Sequence, residues 1–157
     1  MKDLFKKVVK IAIVVIIAMT AIGIFIGEDD TVDIEFDYDT YVENDIVYIE
    51  GETNLLDGAI IHYEVDTLDV LSDEMYDGNI TVQDNSFYQD IDISNLEGED
   101  VEVWLAFWPH SQSEDIQEVY GQWGENLEGD TIEYQEAGWL DETDGYNEIW
   151  VLDSINR

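Results

Sequence analysis

One apolar stretch near the N-terminus divides this 157-residue chain into two chemically different parts. From Ile11 to Ile26 every residue is apolar or small except Thr20. Residues 8–27 together are long enough for a helix that crosses about 30 Å of hydrocarbon. We therefore predict a transmembrane helix over residues 8–27, with the remainder of the chain folding on one side of the membrane.

Charge is distributed unevenly about this predicted helix. Residues 1–27 carry four lysines and one acid, whereas residues 28–157 carry 38 acids and a single base, Arg157. The positive-inside rule places residues 1–7 in the cytoplasm and the acidic part outside the cell. The sequence thus predicts a single-pass protein of the cell membrane, with an acidic spacer over residues 28–31 and one extracellular domain over residues 32–157.

Two other interpretations of the N-terminal segment remain open. A cleaved signal peptide could use the small residues of Ala21-Ile22-Gly23, although it would leave an apolar stub at Ile24-Phe25-Ile26. A processed, pilin-like helix is the third possibility. The chain contains no cysteine, which excludes a lipoprotein anchor, disulfides, thiol catalysis and cysteine-ligated zinc.

The composition excludes two classes of protein. A net charge of −34 and a pI near 4.1 are incompatible with a nucleic-acid binder, which needs a basic face for phosphates. A disordered acidic chain is excluded as well, because 45% of the residues are hydrophobic and 12% are aromatic.

Alternation of apolar and acidic residues predicts β-strands in the outer domain. It is clearest over Val32–Tyr38, where every second residue is acidic. Turn signals lie between the predicted strands, at Asp57-Gly58, Asp77-Gly78, Asp84-Asn85, Gly129-Asp130 and Asp144-Gly145. The further predicted strands are 45–51, 59–66, 79–83, 86–93, 101–108, 130–136 and 147–153. The pattern predicts an all-β antiparallel sandwich of about seven to eight strands.

One segment is predicted to be helical. Ser111 and Glu114 have the spacing of a capping box, and Ile116, Val119 and Tyr120 follow at helical intervals. We expect a two-turn helix that ends at the following glycine, Gly121.

Two blocks of sequence resemble uncharacterised, membrane-anchored extracytoplasmic β-sandwich proteins of Gram-positive bacteria. The first is Gly51-Glu52-Thr53-Asn54-Leu55-Leu56-Asp57-Gly58-Ala59 with the strand that follows it. The second comprises Phe107-Trp108-Pro109, Gln112 and the stretch from Val119 to Gly129. The resemblance implies an immunoglobulin-like sandwich behind an anchor or signal, and it implies no known activity.

The sequence contains little that suggests catalysis. Its two histidines are His62, in a predicted strand, and His110, in a loop beside Pro109. No nucleophile elbow, zinc-protease helix or phosphate-binding loop is present. We predict that the protein is not an enzyme.

Tryptophans are the candidate ligand-binding residues, because an exposed indole can stack on a sugar ring. Trp108, Trp123 and Trp139 lie near glycines or loops, and we predict that they are the ligand-stacking residues. Trp104 and Trp150 lie in apolar strand segments and are predicted to be core.

The acids raise the question of a metal. Loops 73–77 and 141–148 are rich in carboxylates, but neither has the EF-hand pattern. We predict no cofactor beyond loosely bound calcium or other cations and leave a discrete metal site open.

Asn79-Ile80-Thr81 is an N-glycosylation sequon, so Asn79 is a candidate acceptor.

Together these observations predict a non-enzymatic, membrane-anchored binding or cell-envelope interaction module, whose acidic surface is adapted to a saline or alkaline medium. Its partner would be an envelope protein or polysaccharide, in addition to the membrane itself. A carbohydrate-binding or glycoside-active surface protein is the leading alternative, and a pilin-like assembling subunit is the second.

Overall fold

The computed structural model describes residues 31–67, 75–136 and 145–157. The chain divides into two units, Met1–Asp30 and Thr31–Arg157, and every described residue belongs to the second. The predicted transmembrane helix over residues 8–27 therefore lies outside the described residues. Among those that are described, no helix is long and apolar enough to cross a membrane.

The described residues form ten β-strands and one short α-helix. The helix α1 spans Glu114–Tyr120, and a 3₁₀ turn over Pro109–Ser111 precedes it. In chain order the strands are β1 (Val32–Asp33), β2 (Phe36–Glu43), β3 (Ile46–Thr53), β4 (Ile60–Thr67), β5 (Tyr76–Thr81), β6 (Ser86–Asp92), β7 (Asp100–Phe107), β8 (Leu127–Glu128), β9 (Ile132–Glu136) and β10 (Gly145–Asn156).

Eight of these strands form two antiparallel sheets. The smaller sheet has the order β2-β3-β6, and the larger has the order β5-β4-β7-β10-β9. The two remaining strands, β1 and β8, pair in parallel, and the Val32 N–H donates to the Asn126 carbonyl at 2.6 Å. The predicted all-β, antiparallel architecture is confirmed.

One hydrophobic core contains the inward side chains of both sheets. The helix α1 adds Ile116 and Tyr120 to this core. The Tyr120 ring meets the Phe107 ring edge-on, with 5.6 Å between centroids, and its hydroxyl accepts a hydrogen bond from the Leu56 N–H at 2.8 Å. Fully buried strand residues of the core are Val47, Ile49, Ile61, Val65, Val101, Leu105, Phe107 and Ile149.

The alternation in the sequence gives each sheet an outer face as well. Successive strand residues point to opposite sides, so the residues between the buried ones face outward. In β7, Val103 and Leu105 are buried whereas Trp104 is exposed between them.

Three local predictions were wrong. The run Val32–Tyr38 is two strands, because the Asn54 side chain accepts a bond from the Glu35 N–H and donates one to the Asp33 carbonyl between them. The expected turn at Asp77-Gly78 lies inside β5, where the Tyr63 ring covers Gly78.

The third concerns the start of the helix. Ser111 belongs to the 3₁₀ turn, where its hydroxyl donates to the Trp108 carbonyl at 2.8 Å, and α1 begins after Ser113. The predicted capping box is therefore not formed. The predicted end is confirmed, because Gly121 follows the helix with φ of 81°.

Candidate functional site

A groove of about 630 Å³ opens on the outer face of the five-stranded sheet. Three of its lining residues are tryptophans, and most of the others are polar. The residues that define this tryptophan groove are His62, Tyr63, Glu64, Met75, Asp77, Gly78, Asn79, Trp104, Ala106, Trp108 and Trp150.

Strand register brings the groove residues into rows across the sheet, since directly opposed residues share a face. One row runs from Asp77 on β5 through Glu64 on β4 to Trp104 on β7. The next row runs from Asn79 through His62 and Ala106 to Trp150 on β10. Because Ala106 is small, it leaves a depression between the larger side chains.

Trp104 and Trp150 form the apolar part of the groove. Their rings meet edge-on, with centroids 5.3 Å apart and planes at 73°. Trp104 is 38% exposed, and Trp150 is half-buried. The prediction that both are core was wrong, because their apolar neighbours Val103, Leu105 and Ile149 occupy the inward positions.

Trp108 packs against both histidines of the chain. His62 stacks on it at 4.6 Å with 30° between the planes, and His110 lies 6.5 Å away at 23°. Burial lowers the pKa of both imidazoles, although a hydrogen bond with Asn79 opposes this effect at His62. The histidines therefore favour the neutral form here, despite the acidity of the domain.

A buried glutamine fixes the loop that carries Trp108. The Gln112 side chain accepts a bond from the Ile60 N–H at 2.8 Å and donates to the Ile60 carbonyl at 3.0 Å. It also donates to the Trp108 carbonyl at 3.1 Å. These bonds hold the 3₁₀ turn against β4, which positions Trp108 beside His62.

Glu148 is a buried carboxylate behind Trp108. It is only 4% exposed, and it accepts hydrogen bonds from the Trp108 indole and the Gln135 side chain. Burial raises the pKa of Glu148; the two hydrogen bonds act in the opposite direction, and Glu133 on the neighbouring strand adds to the increase. Sequence reasoning missed this residue, since one acid among 38 has no local signal.

The predicted site residues are only partly brought together. Trp108 lines the groove; Trp123 lies outside the groove lining, with its ring 5.6 Å from that of His110. Trp139 lies outside the described residues. Asn79 lines the groove opposite His62, so a glycan on Asn79 and a ligand in the groove would compete for the same space.

The outer face of the smaller sheet differs. Tyr41 and Tyr48 stack there at 4.9 Å, and Tyr88, which is 55% exposed, lies on the next strand. We call this surface the tyrosine face; its acids are Asp37, Asp39, Glu43, Glu50, Glu52, Asp90 and Asp92. Desolvation and the neighbouring Glu50 raise the pKa of Tyr41.

The described residues contain no group of three or more histidines or acids arranged to hold a metal ion. The carboxylate-rich loops 73–77 and 141–148 lie partly outside the described residues. The polar groups that line the groove beside its tryptophans are one imidazole, one tyrosine hydroxyl, one amide and two carboxylates.

Comparison with protein-family models gives no match to this chain, and comparison with curated proteins gives no significant relative.

Proposed function

We propose that the protein is a single-pass membrane protein that displays a non-enzymatic, immunoglobulin-like binding module outside the cell. We propose further that the module binds a polysaccharide of the cell envelope in the tryptophan groove. The observation that carries this proposal is the grouping of Trp104, Trp108 and Trp150 on one concave surface.

The chemistry of the groove suits a chain of sugar rings. An indole face packs against the C–H face of a pyranose, and adjacent amides and carboxylates bond its hydroxyls. Trp104 and Trp150 supply the stacking surface, while Asn79 and Glu64 line the same groove. A single small ligand needs one such ring, whereas several rings in one groove favour an oligomer.

The placement of the acids supports binding without hydrolysis. Glycosidases place their two carboxyl groups on either side of the scissile bond. Glu64 and Asp77 lie directly opposite each other on neighbouring strands, and both are on the same side of Trp104. A sugar chain on Trp104 would meet the two carboxylates together, on one flank.

The immunoglobulin-like assignment is supported by the strand order. The chain passes from the β2–β3 hairpin to β4 and β5 in the other sheet, returns to β6, and crosses again to β7. Such crossings between two antiparallel sheets are typical of Greek-key sandwiches.

The extracellular location and the saline medium are supported by the sequence. Four lysines precede the apolar segment, and only Arg157 offsets the 38 acids that follow. The acids of such a domain repel one another at low ionic strength, which destabilises the fold, and salt screens this repulsion.

Calorimetric titration of the full chain would test sugar binding. The chain should be held in a polyoxyethylene detergent, which carries neither sugar nor charge, and titrated with glucose and N-acetylglucosamine oligosaccharides of both anomeric linkages. We expect binding that Trp104→Ala weakens about tenfold or more, since aromatic stacking contributes about 0.5–1.5 kcal/mol beyond the buried area.

Tyr88→Ala is the matched control, because it removes an exposed ring from the tyrosine face. It should leave the affinity unchanged. If no oligosaccharide binds, or if both variants weaken binding equally, the tryptophan groove is not a sugar site.

A further inference from the structure

The tryptophan groove contains two carboxylates that the domain cannot neutralise. Glu64 and Asp77 are directly opposed on β4 and β5, and like charges in this arrangement repel each other. After Lys10 the sequence contains one lysine or arginine, Arg157, and its guanidinium forms an ion pair with Asp45 at 2.7 Å. No basic side chain of the domain is therefore left for the groove.

Glu64 adjoins an exposed indole, and Asp77 lies one strand further from it. Glu64 is directly opposite Trp104 on β7, and all three residues line the groove. A cation above the face of a tryptophan is attracted by the ring quadrupole, and adjacent carboxylates add Coulomb attraction. A neutral sugar at this position would gain only stacking and hydrogen bonds, while an anionic one would be repelled.

The remaining titratable groups near the groove do not supply a competing positive charge. His62 is opposite Ala106, and burial favours its neutral form. His110 does not line the groove; its ring lies 6.5 Å from that of Trp108, and burial lowers its pKa, which favours its neutral form. Glu64 and Asp77 are the carboxylates of the groove lining, and the next row of the same face adds a further opposed acid pair, Asp66 with Glu102, so the charge facing a ligand at Trp104 is negative.

We propose that the sugar bound in the groove carries free, protonated amino groups, one of which lies over Trp104 beside Glu64 and Asp77. This inference rests on the proposed sugar-binding function and names the chemical class of the ligand. A lysine-rich peptide would also present ammonium groups, but it would use a single ring at each site. The three tryptophans of one groove fit a chain of rings better.

The test compares oligosaccharides of equal length and linkage that differ at one substituent: oligomers of glucosamine, N-acetylglucosamine and glucose. Titrations with the full chain in polyoxyethylene detergent should be made above the pKa of the carboxyl groups and below that of the amine. We expect the glucosamine oligomer to bind about tenfold more tightly than either neutral oligomer. Equal affinities for the three would overturn the inference and leave the sugar-binding proposal intact.

The variant Glu64→Gln/Asp77→Asn keeps the shape of the groove and removes both charges. It should lose the preference for glucosamine and retain binding of the neutral oligomers. The matched control is Asp39→Asn/Glu50→Gln, which removes a directly opposed acid pair from the tyrosine face. It should keep the preference.

Several other results would contradict the inference. If the glucosamine preference survives in the groove variant, or falls equally in both variants, it arises from the charge of the whole domain. If oligolysine binds as tightly as the glucosamine oligomer, the groove recognises a cationic peptide, and the inference is wrong. If none of the oligosaccharides binds, the proposed sugar-binding function is wrong, and so is the inference that the ligand is an amino sugar.

Discussion

The two outer faces of the sandwich differ although the same alternation of strand residues produces both. On the five-stranded sheet, aromatic rings form a groove around Ala106, and the acids lie mainly on neighbouring strands. On the three-stranded sheet, Tyr41, Tyr48 and Tyr88 are interleaved with carboxylates on every strand. The first face offers the apolar surface of Trp104 and Trp150, and the second offers hydrated charge around the stacked pair Tyr41 and Tyr48.

Strand register, rather than composition, accounts for the difference between the tryptophan groove and the tyrosine face. Along the sequence the acids alternate through nearly every strand, which suggests an evenly charged exterior. Across the five-stranded sheet, however, Trp104 is opposite Leu152, and Ala106 is opposite Trp150. Uncharged residues of β7 and β10 are therefore directly opposed at these positions, and no acid lies between them.

The largest expected effect comes from filling the groove. Ala106→Phe places a ring in the depression between His62 and Trp150 without removing any existing group. We expect oligosaccharide binding to fall below detection in calorimetry, because the sugar and the new ring cannot occupy the same volume.

Far-UV circular dichroism must show that this variant keeps its fold. Ala106→Leu gives a graded version of the same obstruction, in case the larger ring disturbs packing. A folded Ala106→Phe variant with undiminished affinity would place the sugar site elsewhere than in the tryptophan groove.

Salt should stabilise both faces, because each contains directly opposed acids. Five such pairs occur in the described strands of the two antiparallel sheets: Asp37 with Glu52, Asp39 with Glu50, Glu64 with Asp77, Asp66 with Glu102, and Glu133 with Glu148. At about 0.2–1 kcal/mol each, screening them would raise the free energy of unfolding by roughly 1–5 kcal/mol. Urea unfolding at about 0.01 M and about 1 M NaCl, where the Debye length is about 30 Å and about 3 Å, measures the difference.

The same salt series at a pH low enough to protonate the carboxyl groups is the control, and its salt effect should be smaller. Equal stability at both salt concentrations and neutral pH would contradict the proposed adaptation to a saline medium.

Glu148, which lies behind Trp108, should make the free energy of unfolding depend on pH. Its pKa is raised in the folded state, so the unfolded state loses this proton at a lower pH than the folded state does. The contribution of Glu148 to stability is therefore full below its unfolded pKa and is lost as pH rises through the folded pKa. We expect Glu148→Gln to be more stable than the parent at neutral pH, and the difference to shrink in acid.

Urea unfolding of both proteins across this pH range provides the measurement. The other acids affect the free energy of unfolding equally in both proteins, so the difference between the two proteins reports on Glu148. A difference that stays constant with pH would mean that Glu148 is ionised with its ordinary pKa.

The smallest expected effect comes from the matched acid pairs. Asp39→Asn on the tyrosine face and Asp77→Asn in the groove each relieve one repulsion and should raise the free energy of unfolding by about 0.2–1 kcal/mol at low salt. Only Asp77→Asn should change the affinity for an amino sugar. Urea unfolding and oligosaccharide binding should be measured on the same samples. A change in affinity caused by Asp39→Asn would contradict the prediction that only the groove contributes to binding.

Much of the fold could be predicted because alternation is a local signal. The predicted strand at Ser86 and the turn at Asp84-Asn85 are confirmed, and the turn has φ of 52° and 60° at its two central residues. The similar turn at Asn44-Asp45, with φ of 52° and 63°, was missed because Asp45 was assigned to a strand.

The site was harder to predict because it depends on which strands are neighbours. Trp104 and Trp150 are 46 residues apart in the sequence and become neighbours only through the pairing of β7 with β10. The loop position of Trp108 made it a candidate in the sequence, while the outward position of Trp104 could have been inferred from the buried valine and leucine that flank it. The proximity of His62 to Trp108 depends on Gln112 and has no counterpart in any short motif.

The short parallel pairing of β1 with β8 has a mechanical consequence. If the segment before Thr31 is held in a membrane, tension on the domain enters at Val32, whose N–H bonds the Asn126 carbonyl at 2.6 Å. A second bond joins the Ile34 N–H to the Glu128 carbonyl at 2.7 Å, and Asn54 bridges the chain just beyond. A pulling force would have to break these hydrogen bonds before it reached the hairpin of β2 and β3. In an anchored chain, the pairing of β1 with β8 would therefore protect the sandwich from unfolding under tension.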